Sequence, residues 1–306
     1  MLSDKKKNEI KNLLFYLSLI VLPMIQFIIF YVVVNANSIA LAFKSYEYKG
    51  GVLQEKFVWF DTIAKVAKDV VTQEKFKYCI INSIVLYFVT FLFGNILSMF
   101  FSYYIYKKRL LSGTFKTFLY MPSIVSAMVI SVLYMYFFAD CYPEMVKQIT
   151  GKTVAGWSKN FQTQYALIFV FNGLMSLGGN MLVYTGTMAG ISESVIEASE
   201  VDGVNSLQQL WYIVLPQIYS TFSLFAVTGL LVLFSGQANM FNFFGLKADA
   251  PFYTFGYYMY IELQANVNDL PTYSYLAALG FLLTVVAIPL IFTVRYLLNK
   301  FGPKEV

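Results

Sequence analysis

Four acids stand close together at Glu193, Glu197, Glu200 and Asp202, and no base lies between Glu193 and Pro216. Carboxylates at this spacing can do two kinds of work. Paired across a cleft they move protons; set out on a surface they select a partner by charge. The first kind needs a companion base or a metal. The 306-residue chain has no histidine, which removes Ser-His-Asp hydrolysis, histidine metal sites and histidine proton relays together. No apolar run holds paired carboxylates, so no catalytic and no metal-ligating residue is assigned. The surface reading is better served. A helix opens at Glu193, with Ser192 or Ser194 as its cap and its acids near the positive end of the helix dipole. Val195, Ala198 and Val201 share its apolar side. Asp202-Gly203 is a turn pair, since glycine permits a sharp corner. A second helix follows, with Val204, Leu207, Leu210, Trp211 and Val214 as its stripe, and Leu215-Pro216 breaks it. Such an elbow either rests on lipid headgroups or docks on another protein. Headgroup-binding helices are rich in Lys and Arg; an acidic knob with an apolar flank fits a basic pocket on a partner.

A second group of polar residues sits inside otherwise apolar runs. Asn172, Ser176 and Asn180 recur four apart, on one helical face. Thr228, Ser235, Gln237 and Asn239 interrupt a later run. Small polar residues are ordinary glue between membrane helices. They are equally the groups that line a path for a polar solute.

The elements that must position these groups follow from composition. The chain is 58% hydrophobic and only 13% charged, against about 25% charge in soluble domains. Lipid is therefore the expected solvent. Six runs lack Asp, Glu, Lys and Arg: Leu13–Val34, Tyr78–Tyr106, Thr117–Ala139, Asn160–Ser192, Gly203–Leu246 (its first part too polar for lipid) and Leu270–Val294. Each is long enough for a span of roughly 20 residues. Ala250–Ile261 is too short to cross and reads as a surface or re-entrant piece. The first run is longer than the apolar core of a signal peptide, so it reads as an uncleaved span despite Ala40-Leu41-Ala42 beyond it. The expected class is an all-α membrane protein with six transmembrane helices. Its segments are 1–12, a first span 13–34, an outer loop 35–77, a core 78–298 holding the elbow at 190–218, and a tail 299–306.

Inner and outer segments would each carry eleven Lys and Arg, but seven of the outer ones fall in residues 35–77. Lys107-Lys108-Arg109 and the N-terminal lysines thus place both termini inside, because short flanks set orientation. The net charge of +5 is read as topology, with no nucleic-acid partner. In the outer loop Phe57, Phe60, Ile63, Ala64, Ala67, Val70 and Val71 recur at helical spacing, as for an amphipathic cap. Ile149–Thr153 ends like a phosphate-binding loop, but Val146 stands where its first glycine belongs, so the chain binds no ATP by that device. Cys79 and Cys141 lie near one expected membrane face; unpaired thiols are the plain reading, with a disulfide left open.

The elbow sequence EASEVDGVNSLQQLWYIVLP resembles the EAA loop of permease subunits of binding-protein-dependent ABC importers. Glu197, Ala198, Ser199, Asp202, Gly203, Leu215 and Pro216 occupy its motif, with Ser199 and Val204 departing from alanine. The Asp-Gly form is similar to the carbohydrate branch, as are residues 176–199, 35–46 and 253–262. The resemblance implies a type I importer permease fold with cytoplasmic coupling helices, in the maltose-type manner. It implies that those seven residues couple to an ATPase, with Glu197 pairing basic groups in its cleft. Mg–ATP would be held by that partner, with no cofactor on this chain. It further implies a second permease subunit forming a heterodimer, two ATPase subunits, an extracellular solute-binding protein and a place in the bacterial plasma membrane. A carbohydrate, an oligosaccharide in particular, would pass between the spans that carry the seven polar residues above. A permease for another solute and a stand-alone secondary transporter or channel are the competing readings; the latter needs buried ionisable groups that the span interiors lack.

Overall fold

The computed structural model describes residues 4–49, 52–156 and 160–303. The chain resolves into two units, Met1–Asp69 with Ala265–Leu283 and Val70–Gln264 with Thr284–Val306.

In the first unit an apolar helix, α1 (Lys11–Ala42), has no buried residue in its most hydrophobic window. A helix apolar on every side needs lipid around it. It leads into an antiparallel hairpin of β1 (Lys44–Lys49) and β2 (Val52–Phe57), in register Lys44↔Phe57. A 2.6 Å ion pair from Lys44 to Glu55 crosses it. Helix α2 (Asp61–Thr72) follows. Its inward stripe is Ile63, Val66, Ala67 and Val70, with Val66 fully buried, whereas Phe57, Phe60, Ala64 and Val71 are exposed. The apolar side expected from sequence was thus placed too wide and without its centre. The Tyr275 hydroxyl donates to Asp69 (3.0 Å), and Ser274 donates to the Leu41 carbonyl (3.1 Å).

The second unit is a bundle. Helix α3 (Glu74–Tyr106) is continuous but widens to π-helical spacing over Phe91–Leu97. The run Thr117–Ala139, read as one span, is instead two helices, α4 (Ser112–Ile124) and α5 (Ala127–Thr150), bent by 103°. Pro122 removes an amide donor from α4, and Val125 and Ser126 turn extended. Gly151 ends α5 with a left-handed φ of 71°, its amide donating to Lys147, so the GKT stretch is a helix C-cap. Helix α6 (Phe161–Met188) begins at Asn160, whose side chain accepts from the Gln162 amide. It is the most buried of the long helices. At Gly178 any Cβ would lie 2.7 Å from the Ser123 side chain and 3.1 Å from the Leu119 carbonyl, so α4 and α6 approach closely only because this residue has none.

Beyond come α7 (Glu193–Val201), α8 (Ser206–Gln217), α9 (Tyr219–Ser235), α10 (Met240–Phe244), α11 (Phe255–Ala265) and α12 (Leu270–Phe301), which runs through both units. The helix read as ending at Leu215-Pro216 runs on to Gln217 and bends by 76° at Ile218. The piece expected to lie at the surface or re-enter is a short turn at Ala250–Phe252 and α11. Among the described residues four helices are long and apolar enough to cross a membrane, and up to six spans result if each bent pair counts as one. One apolar core joins Leu86, Phe171, Met240, Phe243 and Tyr257; a second joins Met99, Tyr184, Ile196, Leu210 and Val214. Both cysteines are free thiols.

Candidate docking elbow and polar cavities

The elbow is built by two caps set back to back. The Gly203 amide donates to Glu200 and the Val204 amide to Ser199, both at 3.1 Å, with Gly203 at φ 77°. This is a Schellman ending for α7, which requires the left-handed residue that glycine supplies. Asn205 then starts α8 with a capping box: its side chain accepts from the Gln208 amide (2.9 Å) while Gln208 accepts from the Asn205 amide (3.0 Å). Ser192 stands at the N-cap of α7 but bonds the Ser194 hydroxyl rather than an amide.

The buried side of α7 is Ile196 and Ser199, not Val195, Ala198 and Val201; Val201 is 87% exposed. A polar relay explains the choice. Buried Gln209 donates to Ser199 (2.6 Å) and accepts from the Tyr103 hydroxyl of α3 (2.7 Å), while Ser199 donates to the Ile196 carbonyl (2.6 Å). Of the expected α8 stripe, Leu210 and Val214 are buried, whereas Leu207 and Trp211 are exposed. Lys107, just past the end of α3, pairs with Glu200, and Arg109 donates to Ser206 (2.7 Å). Glu197 and Glu193 line a cavity of ≈ 530 Å³ together with Lys107 and Lys108. The acids are therefore not isolated: the basic run 107–109 folds against them, a long-range pairing that local charge counting does not reveal. Asp202 stays exposed at the corner, beside the exposed apolar side chains Val201 and Leu207, with Tyr212 further along α8.

The Lys107 ammonium, hydrogen-bonded to it, holds Glu200 below the usual carboxylate range, and Arg109 adds a smaller pull. A depressed pKa means that the tether is complete at neutral pH and is lost as pH falls through that depressed value. Amide exchange over residues 193–217, corrected for intrinsic rate, is expected to rise on acidification below the usual carboxylate range. The Glu200→Gln variant is expected to show the faster exchange already at neutral pH, with little further change. Identical pH profiles for the two proteins would exclude the tether.

Six of the seven expected path residues gather at two cavities. Ser176, Asn180 and Thr228 line one of ≈ 640 Å³. Asn172, Gln237 and Asn239 line another of ≈ 330 Å³; Thr90 and Val232 border both. Ser235 lines neither and donates to its own helix at Leu231 (2.9 Å). Asn172 donates to the Ile168 and Ala238 carbonyls (both 2.8 Å) and accepts from Asn239 (2.8 Å), which accepts from Asn242 (2.9 Å). Asn180 donates to the Gly94 carbonyl (2.6 Å) in the π-helical stretch of α3. The sequence reading did not single out Tyr87, Thr90, Phe91, Asn95 or Asn242. The last was within reach, since it stands three residues beyond Asn239.

The sequence matches the profile of the family described as "Binding-protein-dependent transport system inner membrane component" over residues 90–304. It is similar to "Protein LplB" of Bacillus subtilis (strain 168), with 24% identity over 300 residues covering 94% of this chain and 89% of that protein. It is also similar to the "Probable starch degradation products transport system permease protein AmyD" of Thermoanaerobacterium thermosulfurigenes, 23% identical over 51% of this chain and 53% of that one. Among solved structures, a chain of a bacterial ABC transporter involved in the import of the acidic polysaccharide alginate superposes with a TM-score of 0.75. Its identity is 18%, over 98% of this chain and all of that one, so the likeness is one of fold.

Proposed function

This chain belongs to the binding-protein-dependent transport system inner membrane components, and from that premise we propose that it forms half of the translocation path of a bacterial ABC importer for a sugar, an oligosaccharide in particular. It is a transport component and not an enzyme; ATP hydrolysis belongs to a separate subunit. In this reading six spans cross the bacterial cytoplasmic membrane with both termini inside. The segments are 1–12, 13–34, 35–77, 78–298 and 299–306, and the elbow at 190–218 faces the cytoplasm. Its partners are a second, different permease subunit, two ATPase subunits holding Mg–ATP, and an extracellular solute-binding protein.

The observation that carries this reading is the division of the elbow into two faces. Ile196, Leu210 and Val214 are buried against the bundle, while Val201 and Leu207 on either side of the Asp202-Gly203 corner, and Tyr212 further along α8, are left bare. Large apolar side chains left bare beside an acidic corner suit docking on another protein. Glu197, Ala198, Asp202 and Gly203 form or shape that face; Ser199 braces it from beneath, and Leu215 and Pro216 lead the force into α9. The similarity to AmyD, a probable permease of a starch degradation products transport system, supports the saccharide.

The test uses the whole transporter in proteoliposomes, with a phosphatase reporter inserted at Leu110 in a parallel cell strain. Uptake of labelled oligosaccharide is expected to require both ATP on the elbow side and the binding protein on the other, and the reporter is expected to stay silent. Uptake by the chain alone, or an active extracellular reporter, would overturn the reading.

A further inference from the structure

We infer that the path half built by this chain accepts uncharged saccharides and rejects those carrying carboxylate, sulfate or phosphate; the inference rests on the carbohydrate reading above. Its basis is the chemistry of the two cavity walls. Neither the ≈ 640 Å³ nor the ≈ 330 Å³ cavity has an Asp, Glu, Lys or Arg among its lining residues. The polar groups are all amides and hydroxyls, among them Asn172, Asn180, Gln237 and Asn242 with Thr90 and Thr228. An amide both donates and accepts, as a sugar hydroxyl does, so each can answer the other without any charge. Part of that capacity is already spent inward. Asn180 uses its NH₂ on Gly94, and Asn172 is committed to Ile168, Ala238 and Asn239. These inward bonds fix the amides in place, so that a solute meets a preset wall. Tyr87, Phe91 and Phe225 add ring surface to the larger cavity, suited to the C–H faces of a pyranose.

An anionic solute meets the same wall differently. A carboxylate moved out of water needs a cation or several strong donors to replace its hydration. No lining residue offers a cation, and the fixed amides offer few unspent N–H groups. A zwitterion fares no better, since both of its charges go unmatched. The solute class therefore differs from that of the fold relative whose transporter imports an acidic polysaccharide, although the two chains share one architecture.

The experiment measures ATPase stimulation in proteoliposomes holding the complete transporter with its binding protein. The probes are neutral tetrasaccharides (maltotetraose, cellotetraose, mannotetraose, xylotetraose) and the acidic tetragalacturonate and tetramannuronate. At least one neutral probe is expected to stimulate about tenfold or more above either uronate, the ratio that an unpaired buried charge imposes. A uronate matching or exceeding every neutral probe would overturn the neutral-wall inference and leave the carbohydrate reading standing. Silence toward all six, with stimulation by an amino acid, peptide or other non-sugar solute, would bring down both. A Thr228→Lys variant assigns the effect to this chain. It is expected to narrow the neutral-over-uronate ratio several-fold with ATPase capture unchanged, and an unaltered ratio counts against this wall as the selector.

Discussion

Replacing Gly203 by proline is expected to abolish ATP-driven uptake while the chain still inserts in the membrane at its usual level. The argument is local and geometric. Gly203 sits at φ 77° and its amide donates to Glu200 at 3.1 Å. Proline fixes φ near −65° and has no amide hydrogen, so it forbids both features at once. The Schellman ending of α7 cannot form, and α8 leaves in another direction. Gln209 then loses its seat on Ser199, now 2.6 Å away. The bare tip formed by Val201, Asp202 and Leu207 is dispersed, and the surface offered to an ATPase subunit goes with it. The apolar spans are untouched, so insertion and yield are expected to hold. Gly203→Ala separates strain from shape: an L residue in the left-handed region costs about 1–2 kcal/mol, and the amide donor survives, so capture is weakened without being lost. Glu197→Lys is the charge counterpart. It places a third ammonium in the cavity that already holds Lys107 and Lys108, and capture is again expected to fail. The measurement is retention of the ATPase subunit on the solubilised, tagged permease, beside uptake in vesicles. Wild-type retention by both Gly203→Pro and Glu197→Lys would remove the elbow from the coupling route.

What the sequence disclosed about this elbow, and what it hid, has one cause. The helix–corner–helix plan is encoded by neighbours: Asp202-Gly203, the acids in the first turns and Pro216 all act within a few residues. The choice of inner face is encoded by contacts from afar. A nine-residue helix offers more than one plausible stripe, and Val195, Ala198 and Val201 made the more apolar one. The chain instead buries Ser199, because Gln209 and Tyr103 satisfy its hydroxyl through a relay that brings together positions as much as 106 residues apart. Ser199, one of the seven residues that the resemblance assigns to ATPase coupling, is buried and braces the elbow from within. The same holds for charge. The elbow looked purely acidic until Lys107, Lys108 and Arg109 arrived from the end of α3. In the bundle, the period-four spacing of Asn172, Ser176 and Asn180 was visible because Asn is rare in apolar helices. Tyr87, Phe91 and Thr90 looked like ordinary span residues, and only folding put them across from those amides. The break between α4 and α5 was missed because charge-free runs were counted and Pro122 was not. The hairpin was missed although KSYEYK, Gly50-Gly51 and VLQEKF carry its alternation and turn signal.

Asn172→Leu is expected to remove transport as fully as the elbow variants do, yet to leave ATPase capture intact. Ala238 and Asn239, in succession, hold φ of 50° and 52°, a conformation that non-glycine residues adopt at a cost of about 1–2 kcal/mol each. Something must offset that strain, and Asn172 is placed to do it. Its NH₂ donates to the Ala238 carbonyl and its oxygen accepts from the Asn239 side-chain NH₂, both at 2.8 Å. Leucine has similar bulk and no hydrogen-bonding capacity. It would strand the Ala238 carbonyl in a buried site and leave the half-buried Asn239 NH₂ without its partner, at roughly 1–3 kcal/mol for the buried orphan and toward the low end of that range because an unfolded chain in a membrane also finds partners. The left-handed bend then relaxes, taking Gln237 and Asn239 away from the smaller cavity. The elbow lies at the other end of α6, near Tyr184 and Met188, and keeps its own packing. Ser235→Ala is the companion that gives the result its meaning. Ser235 is a polar residue of the same neighbourhood, but it bonds only within its helix and borders neither cavity. Uptake in Ser235→Ala is expected to stay near wild type, while Asn172→Leu falls to background with a lowered thermal midpoint in detergent. Should both variants lose uptake to the same degree, polarity anywhere in these spans would matter equally, and the two cavities could not be the path.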